Sequence, residues 1–246
     1  MSTTDRAICI RATDYSETSQ VLTLLTRAGG VVRLIAKGSR RPRSKSGGTI
    51  DLLSEGECVF TTGKGESMGL LMEFAETISR SSIREGLDRL GAAMYMAELC
   101  GAVLAEGDPH PKVFDLLHNA LGRMGQADAS PALVLAYFQW RLIRHIGLLG
   151  ELNLCVSCGG KVGTKDVYFS SSLGGLLCRD CEPSATEKYH VSGAALSALA
   201  ALAAAEAGKK PRLPTKQADA ANALLAYHIQ YQLGKRLKTA RGAIRS

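Results

Sequence analysis

Apolar positions in the first 80 residues recur at every second residue; beyond residue 80 they recur at every third or fourth. The first period belongs to strands and the second to amphipathic helices. Residues 7–12 place Ile8 and Ile10 inward, with Cys9 and Arg11 outward. Residues 20–26 (QVLTLLT) and 31–36 (VVRLIA) are aliphatic and rich in β-branched side chains, and Ala28-Gly29-Gly30 between them reads as a hairpin turn. Residues 57–62 (ECVFTT) and 69–74 (GLLMEF) follow, split by Gly63-Lys64-Gly65. These short strands and glycine turns predict a small barrel or sandwich, because closure hides unpaired edges.

Past residue 80, Ser82-Ile83-Arg84-Glu85 forms a capping box that opens a helix. Ile83, Leu87, Leu90, Met94, Ala97, Gly101 and Leu104 line one face of it. Val113, Leu116, Leu117, Ala120, Leu121 and Met124 mark a second helix. Ser130-Pro131 is an N-cap followed by proline at the first helical position, and this third helix runs to Ile146. A fourth, alanine-rich helix spans Ser192 to Ala207, and a fifth spans Gln217 to Leu237. Between the third and fourth, residues 152–190 are rich in glycine and cysteine and lack a helical period. The resulting picture is an α+β multidomain chain. A small β domain occupies residues 1–80, helices occupy 81–151 and 191–246, and a cysteine module is inserted at 152–190.

Composition narrows the class without naming it. The 246 residues are 46% hydrophobic and 22% charged, which excludes wholesale disorder and collagen-like repetition. No apolar run reaches the roughly 18–20 residues of a membrane span. The N-terminus has no basic head followed by an apolar core, so a cytoplasmic chain is expected. The net charge of +7 is unevenly spread: residues 1–50 carry nine Lys/Arg against three acids, 51–150 eight against thirteen, and 151–246 thirteen against seven. Clustered positive charge repels itself, so a polyanionic partner is expected.

Four of the seven cysteines form a pattern. Cys155-Val-Ser-Cys158 and Cys178-Arg-Asp-Cys181 are two CxxC pairs with nineteen residues between them. Each pair on a tight knuckle turns two thiolates toward one point, and two knuckles complete a tetrahedron around zinc. Gly159-Gly160 supplies the conformational freedom such a knuckle needs. Four thiolates leave no position for a catalytic water, so one structural zinc per chain is expected. Residues 167–170 and 174–177 read as a two-stranded ribbon between the pairs. Cys9, Cys58 and Cys100 sit in apolar contexts and read as core residues.

Arg33, Lys37, Arg40, Arg41, Arg43 and Lys45 fall within thirteen residues that contain no acid. On a small barrel, a basic loop beside a strand face is a common way to hold an oligonucleotide. A second basic cluster closes the chain, at Lys235, Arg236, Lys238 and Arg241. Only Tyr15, Phe60 and Phe74 are aromatic among the first 80 residues. Recognition is therefore expected to be mainly of phosphate and nearly blind to sequence. No GxxxxGK[ST] or HExxH motif is present, the five histidines are scattered, and a non-enzyme is expected.

The stretch DYSETSQVLTLLTRAGGVVRLIAKGSRRPRSKSGG at 14–48 resembles the N-terminal region of the bacterial RecO family of recombination mediators. Residues 87–117, the span LCVSCGGKV…YFSSSLGGLLCRDC at 154–181, and the closing LGKRLKTAR are similar to that family's helical region, zinc module and terminus. Ile50-Asp51-Leu52-Leu53 departs from it, being more acidic than the proline-aromatic segment the family would place there. The resemblance implies an N-terminal OB-fold, a helical domain and an inserted zinc module. It implies binding of single- and double-stranded DNA, annealing of complementary strands, and loading of a RecA-type recombinase onto DNA coated with single-strand-binding protein. It implies RecR and the C-terminal tail of single-strand-binding protein as partners, and a nucleoid-associated location. For that acidic, hydrophobic tail, Arg141 and Arg144 beside Phe138 and Trp140 are candidate contacts. Two other classes remain open on the residues alone, a metal-dependent nuclease and a zinc-ribbon regulator of transcription type.

Overall fold

Five N-terminal strands, β1 (Thr3–Asp14), β2 (Gln20–Thr26), β3 (Gly30–Ala36), β4 (Glu55–Thr61) and β5 (Gly69–Ile78), close into a barrel. Their order is β1-β2-β3-β5-β4, returning to β1, which is OB-like. All neighbours are antiparallel except β3 and β5, which run parallel with Leu34 opposite Gly69 and Ile35 opposite Leu70. The computed structural model describes residues 2–41, 44, 48–63, 67–150, 152–205 and 211–244, and the chain packs as two units, Met1–Ala127 and Asp128–Ser246.

The barrel interior holds Ala7, Cys9, Leu22, Leu24, Val32, Leu34, Phe60, Leu71 and Phe74 among others. This corrects the phase read for β1. Ala7 and Cys9, not Ile8 and Ile10, point into the barrel. Ile8 and Ile10 are buried as well, and Ile10 reaches toward Gly101 of helix α1 (Leu87–Val103). A register shift between Cys9 and Arg11 then flips the alternation, so that Arg11 faces solvent and Ala12 packs on the interior. With both faces covered, simple alternation could not be read there. Cys9, Cys58 and Cys100 are all buried, and burial pushes each thiol up to about 12.

Helices α1 and α2 (Pro111–Met124) belong to the same unit as the barrel. The expected capping box does not cap α1. Residues Ser81–Glu85 form a 3₁₀ turn, extended Gly86 interrupts it, and the helix begins at Leu87 without a side-chain cap. The segment after α1 runs beside β3: Val31 bridges Glu106, and the Gly107 N–H donates to the Val31 carbonyl at 2.9 Å. Gly30 has φ of 72°, and a Cβ there would sit 2.1 Å from the Asp108 carbonyl oxygen, so only glycine permits this approach.

The second unit contains α3 (Pro131–His145), α4 (Gly193–Ala205) and α5 (Thr215–Leu233), with short α6 (Ala240–Ala243). Ser130 caps α3 by accepting from the Leu133 N–H. Gln139 donates to Asn222 at 2.8 Å, joining α3 to α5 through a buried polar pair. Helix α5 stops four residues before the expected end, because Gly234 takes the left-handed conformation. A three-stranded sheet of order β7-β6-β8 is built from β6 (Val167–Ser170), β7 (Gly175–Leu177) and β8 (Tyr189–Val191). The Glu187 carboxylate, just before β8, accepts from the Ser171 and Ser172 N–H groups and from the Tyr227 hydroxyl, which ties the sheet to α5. Burial, then Glu187, push the Tyr227 hydroxyl up to about 12. Among the described residues, no helix is long and apolar enough to cross a membrane.

Candidate nucleic-acid interface and cysteine centre

The basic loop begins where β3 ends. Lys37 follows Ala36 and is exposed, and Gly38, with φ of 69°, turns the chain back. The loop is fastened to the β1–β2 turn at three points. The Gly38 N–H donates to Ser19 Oγ (3.3 Å), the Arg40 N–H to the Thr18 carbonyl (3.1 Å), and Arg40 Nη1 pairs with Asp14 Oδ2 (2.9 Å). Beneath it lies Gln20, a buried strand residue that the apolar pattern passes over. Its Oε1 accepts from Ser39 Oγ (3.1 Å) and the Ile50 N–H (3.0 Å), and its Nε2 donates to the Ile50 carbonyl (3.2 Å). One side chain thus clamps both ends of the basic segment. The signal for it was present as a lone polar residue at an inward position of β2.

Arg33, Lys37, Arg40 and Arg41 are all exposed. Arg33 lies on the outer face of β3, opposite Thr23 of β2. Arg43 and Lys45 lie outside the described residues. Lys235, Arg236, Lys238 and Arg241 follow α5 in the second unit, with their side chains exposed.

The expected apolar slot on α3 is not open. Phe138 and Trp140 are fully enclosed, at 0% exposure each, because α3 buries residues on nearly every side. Only Arg141 and Arg144 of that group keep surface. Arg141 lies 5.8 Å over the Tyr137 ring and Arg144 5.7 Å over the Trp140 ring.

The four paired cysteines converge as their spacing requires. Their sulfurs all lie within 4.8 Å of one another, and Cys158 and Cys178 are 3.9 Å apart. Thiolates about 2.3 Å from a central zinc ion would be about 3.8 Å apart, so the set could hold such an ion. The first knuckle closes through the Cys155 N–H to the Gly160 carbonyl (2.7 Å) and the Gly159 N–H to the Cys155 carbonyl (2.8 Å), with Gly159 at φ of 71°. The second closes through the Cys181 and Glu182 N–H groups to the Cys178 carbonyl. Burial opposes charge on Cys155, yet N–H groups of Cys178, Cys158 and Ser157 outweigh it and bring that thiol down to about 6. The Cys181 thiol goes the other way, pushed up to about 12 chiefly by its hydrogen bond with Cys178, as four sulfurs sharing protons at one point require.

One further feature is not legible in the sequence. Glu55 is buried in the barrel wall and meets three positive or ionisable groups: Arg6 Nη2 and Arg80 Nη2, both at 2.6 Å, and His118 Nδ1 at 2.8 Å. Burial pushes its pKa up, but hydrogen bonds from His118, Arg6 and Arg80 prevail and hold it below the usual glutamate range. Residues 65–69 (GESMG) match the GxSxG spacing of a nucleophile elbow. Their serine, Ser67, precedes β5, which pairs antiparallel with β4, whereas a nucleophile elbow turns from a strand into a helix; Gly65 and Glu66 lie outside the described residues.

A barrel bearing a fastened basic loop, together with helices and a four-cysteine centre, defines a multidomain protein of the OB-fold class. Residues 1–79 match the family model described as "Recombination protein O N terminal", and residues 84–241 match "Recombination protein O C terminal". The chain belongs to the RecO family of DNA repair proteins. It is 31% identical over 237 residues to the DNA repair protein RecO of Anaeromyxobacter dehalogenans (strain 2CP-C), covering 95% of this chain and 92% of that one. It is 30% identical over 236 residues to the RecO of Myxococcus xanthus (strain DK1622), covering 96% and 94%. It is 34% identical over 237 residues to the RecO of Anaeromyxobacter sp. (strain Fw109-5), covering 95% and 92%.

Proposed function

We propose that this chain is a non-enzymatic recombination mediator. It binds single- and double-stranded DNA without sequence specificity, anneals complementary strands, and helps load a RecA-type recombinase onto DNA coated with single-strand-binding protein. The observation that carries this reading is the row of exposed cations, Arg33, Lys37, Arg40 and Arg41, on a strand and loop pinned to a barrel. Cations fixed in this way meet phosphate and leave base edges free, so a strand held here can still pair with a second strand. Arg43 and Lys45 extend the same run in sequence, and Lys235, Arg236, Lys238 and Arg241 supply further positive charge. RecR and the acidic tail of single-strand-binding protein are the expected partners, with the half-exposed Arg141 and Arg144 as candidate contacts for the tail.

Cys155, Cys158, Cys178 and Cys181 hold one zinc ion per chain in this reading. When bound, that ion braces residues around the β7-β6-β8 sheet; four sulfurs leave it no open position for chemistry.

The test is strand annealing on DNA coated with single-strand-binding protein, at two salt concentrations, with Arg40→Glu/Arg41→Glu beside the wild type. Annealing should be lost on charge reversal and weakened by salt. Annealing that is indifferent to both would overturn the reading.

A further inference from the structure

The β1–β2 turn beside the basic loop carries an aromatic ring that nothing above uses. Tyr15 is 64% exposed, whereas Phe60 and Phe74, the other two aromatics of the first 80 residues, are sealed in the interior. Among the described residues the Tyr15 ring meets no other ring and no guanidinium. Its backbone is fixed, because the Tyr15 N–H donates to the Ser19 carbonyl at 2.9 Å. The same short turn receives the basic loop: Asp14 pairs with the Arg40 guanidinium, Thr18 accepts from the Arg40 N–H, and Ser19 accepts from the Gly38 N–H. Tyr15 and Arg40 are therefore anchored to one another through residues 14–19. An exposed ring thus sits on the same short turn that holds Arg40 through an exchangeable surface ion pair.

We propose that Tyr15 is a stacking platform that gives this surface a preference for single strands over duplex, resting on the phosphate-binding reading above. In a single strand, one phosphate takes the Arg40 guanidinium in place of Asp14, and the neighbouring base lies on the Tyr15 ring. In a duplex the base is already stacked between its neighbours and cannot reach the ring, so only the phosphate contact remains. Every base has a π-face, so the platform adds strand selectivity without adding sequence selectivity. Sequence blindness and single-strand preference are thereby assigned to different side chains of one surface.

The test uses the full chain and fluorescence anisotropy, with a labelled oligothymidylate and a labelled duplex of equal length. Three proteins are compared with the wild type: Tyr15→Ala, Tyr15→Phe and Arg40→Ala/Arg41→Ala. Tyr15→Ala should weaken oligothymidylate binding by roughly five- to 150-fold, the range for removing a stacking aromatic, and leave duplex binding unchanged. Tyr15→Phe keeps the ring and should bind both as the wild type does. The arginine pair should weaken both ligands. Should the arginine pair weaken both while Tyr15→Ala changes neither, or changes both equally, the platform is overturned and the phosphate reading stands. Should the arginine pair leave both ligands bound as before, the phosphate reading itself falls, and the platform with it.

Discussion

Replacing Glu55 by Gln removes one negative charge from a site with almost no water. The Glu55 side chain is 1% exposed and its partner Arg80 is 8% exposed, while Arg6 is 47% exposed. Arg6 can turn to solvent, so its pair contributes little. Arg80 cannot, and among the described residues its buried Nε has no hydrogen-bond partner. Leaving that guanidinium without a counter-charge should cost about 3–5 kcal/mol. For a cooperative unit of this size, that lowers the melting temperature by roughly 10–15 °C. The pH dependence carries a definite sign. Because the folded-state pKa of Glu55 lies below its unfolded value, its contribution is complete above the ordinary glutamate pKa of about 4.3 and is lost as pH falls through the folded value. The gap between wild type and Glu55→Gln should therefore be widest near neutrality and close under acid. Calorimetry across that range measures it. A melting shift below about 3 °C at neutral pH, the size of an ordinary surface substitution, would refute the claim that a buried ion cluster holds the barrel to Arg80 and His118.

Three other outcomes follow from the same structure. Neutralising Lys37, Arg40 and Arg41 together should make the dependence of log affinity on log salt shallower by about 2 for single strands and cost about 100-fold near 0.1 M salt, read by anisotropy titration; an unchanged slope would show that these cations do not meet phosphate. Purified protein should contain zinc at one ion per chain by elemental analysis, and a strong chelator should abolish hydrogen-exchange protection in Val167–Ser170 while the strands of the barrel keep theirs; protection that survives complete metal removal would refute a bracing role. Gln20→Leu should destabilise the barrel by about 1–3 kcal/mol in a urea titration, because Ser39 Oγ and the Ile50 N–H are left buried and unpaired.

Local pattern carried the sequence reading where the signal is short-range. The bounds of β2 and β6 and the start of α3 follow from alternation, branched side chains and a Ser-Pro cap, all written in adjacent residues. The convergence of the four paired cysteines was legible for the same reason, since knuckle spacing is short-range. Elements covered on both faces were not. The middle of β1 is buried all round, and a bulge then reverses its phase, so Ile8 and Ile10 were assigned to the wrong side. On α3, enclosure is nearly complete, so nothing local separates a surface aromatic from a core one, and Phe138 and Trp140 were read as accessible. Long-range polar contacts were invisible for a different reason. Glu55 and His118 are 63 residues apart, Gln20 and Ile50 are 30 apart, and no spacing rule links either pair.

A ring of staves parts first where two of them share the fewest rungs. Here that place is β3 against β5, which share two residue pairs among the described residues, whereas each other neighbouring couple shares six or seven. Amide exchange at Ile35 and Leu70 should accordingly report local breathing rather than global unfolding. The loosest joint of the barrel thus ends at Ile35, two residues before Lys37 and the cations after it, so breathing there loosens the start of the basic loop.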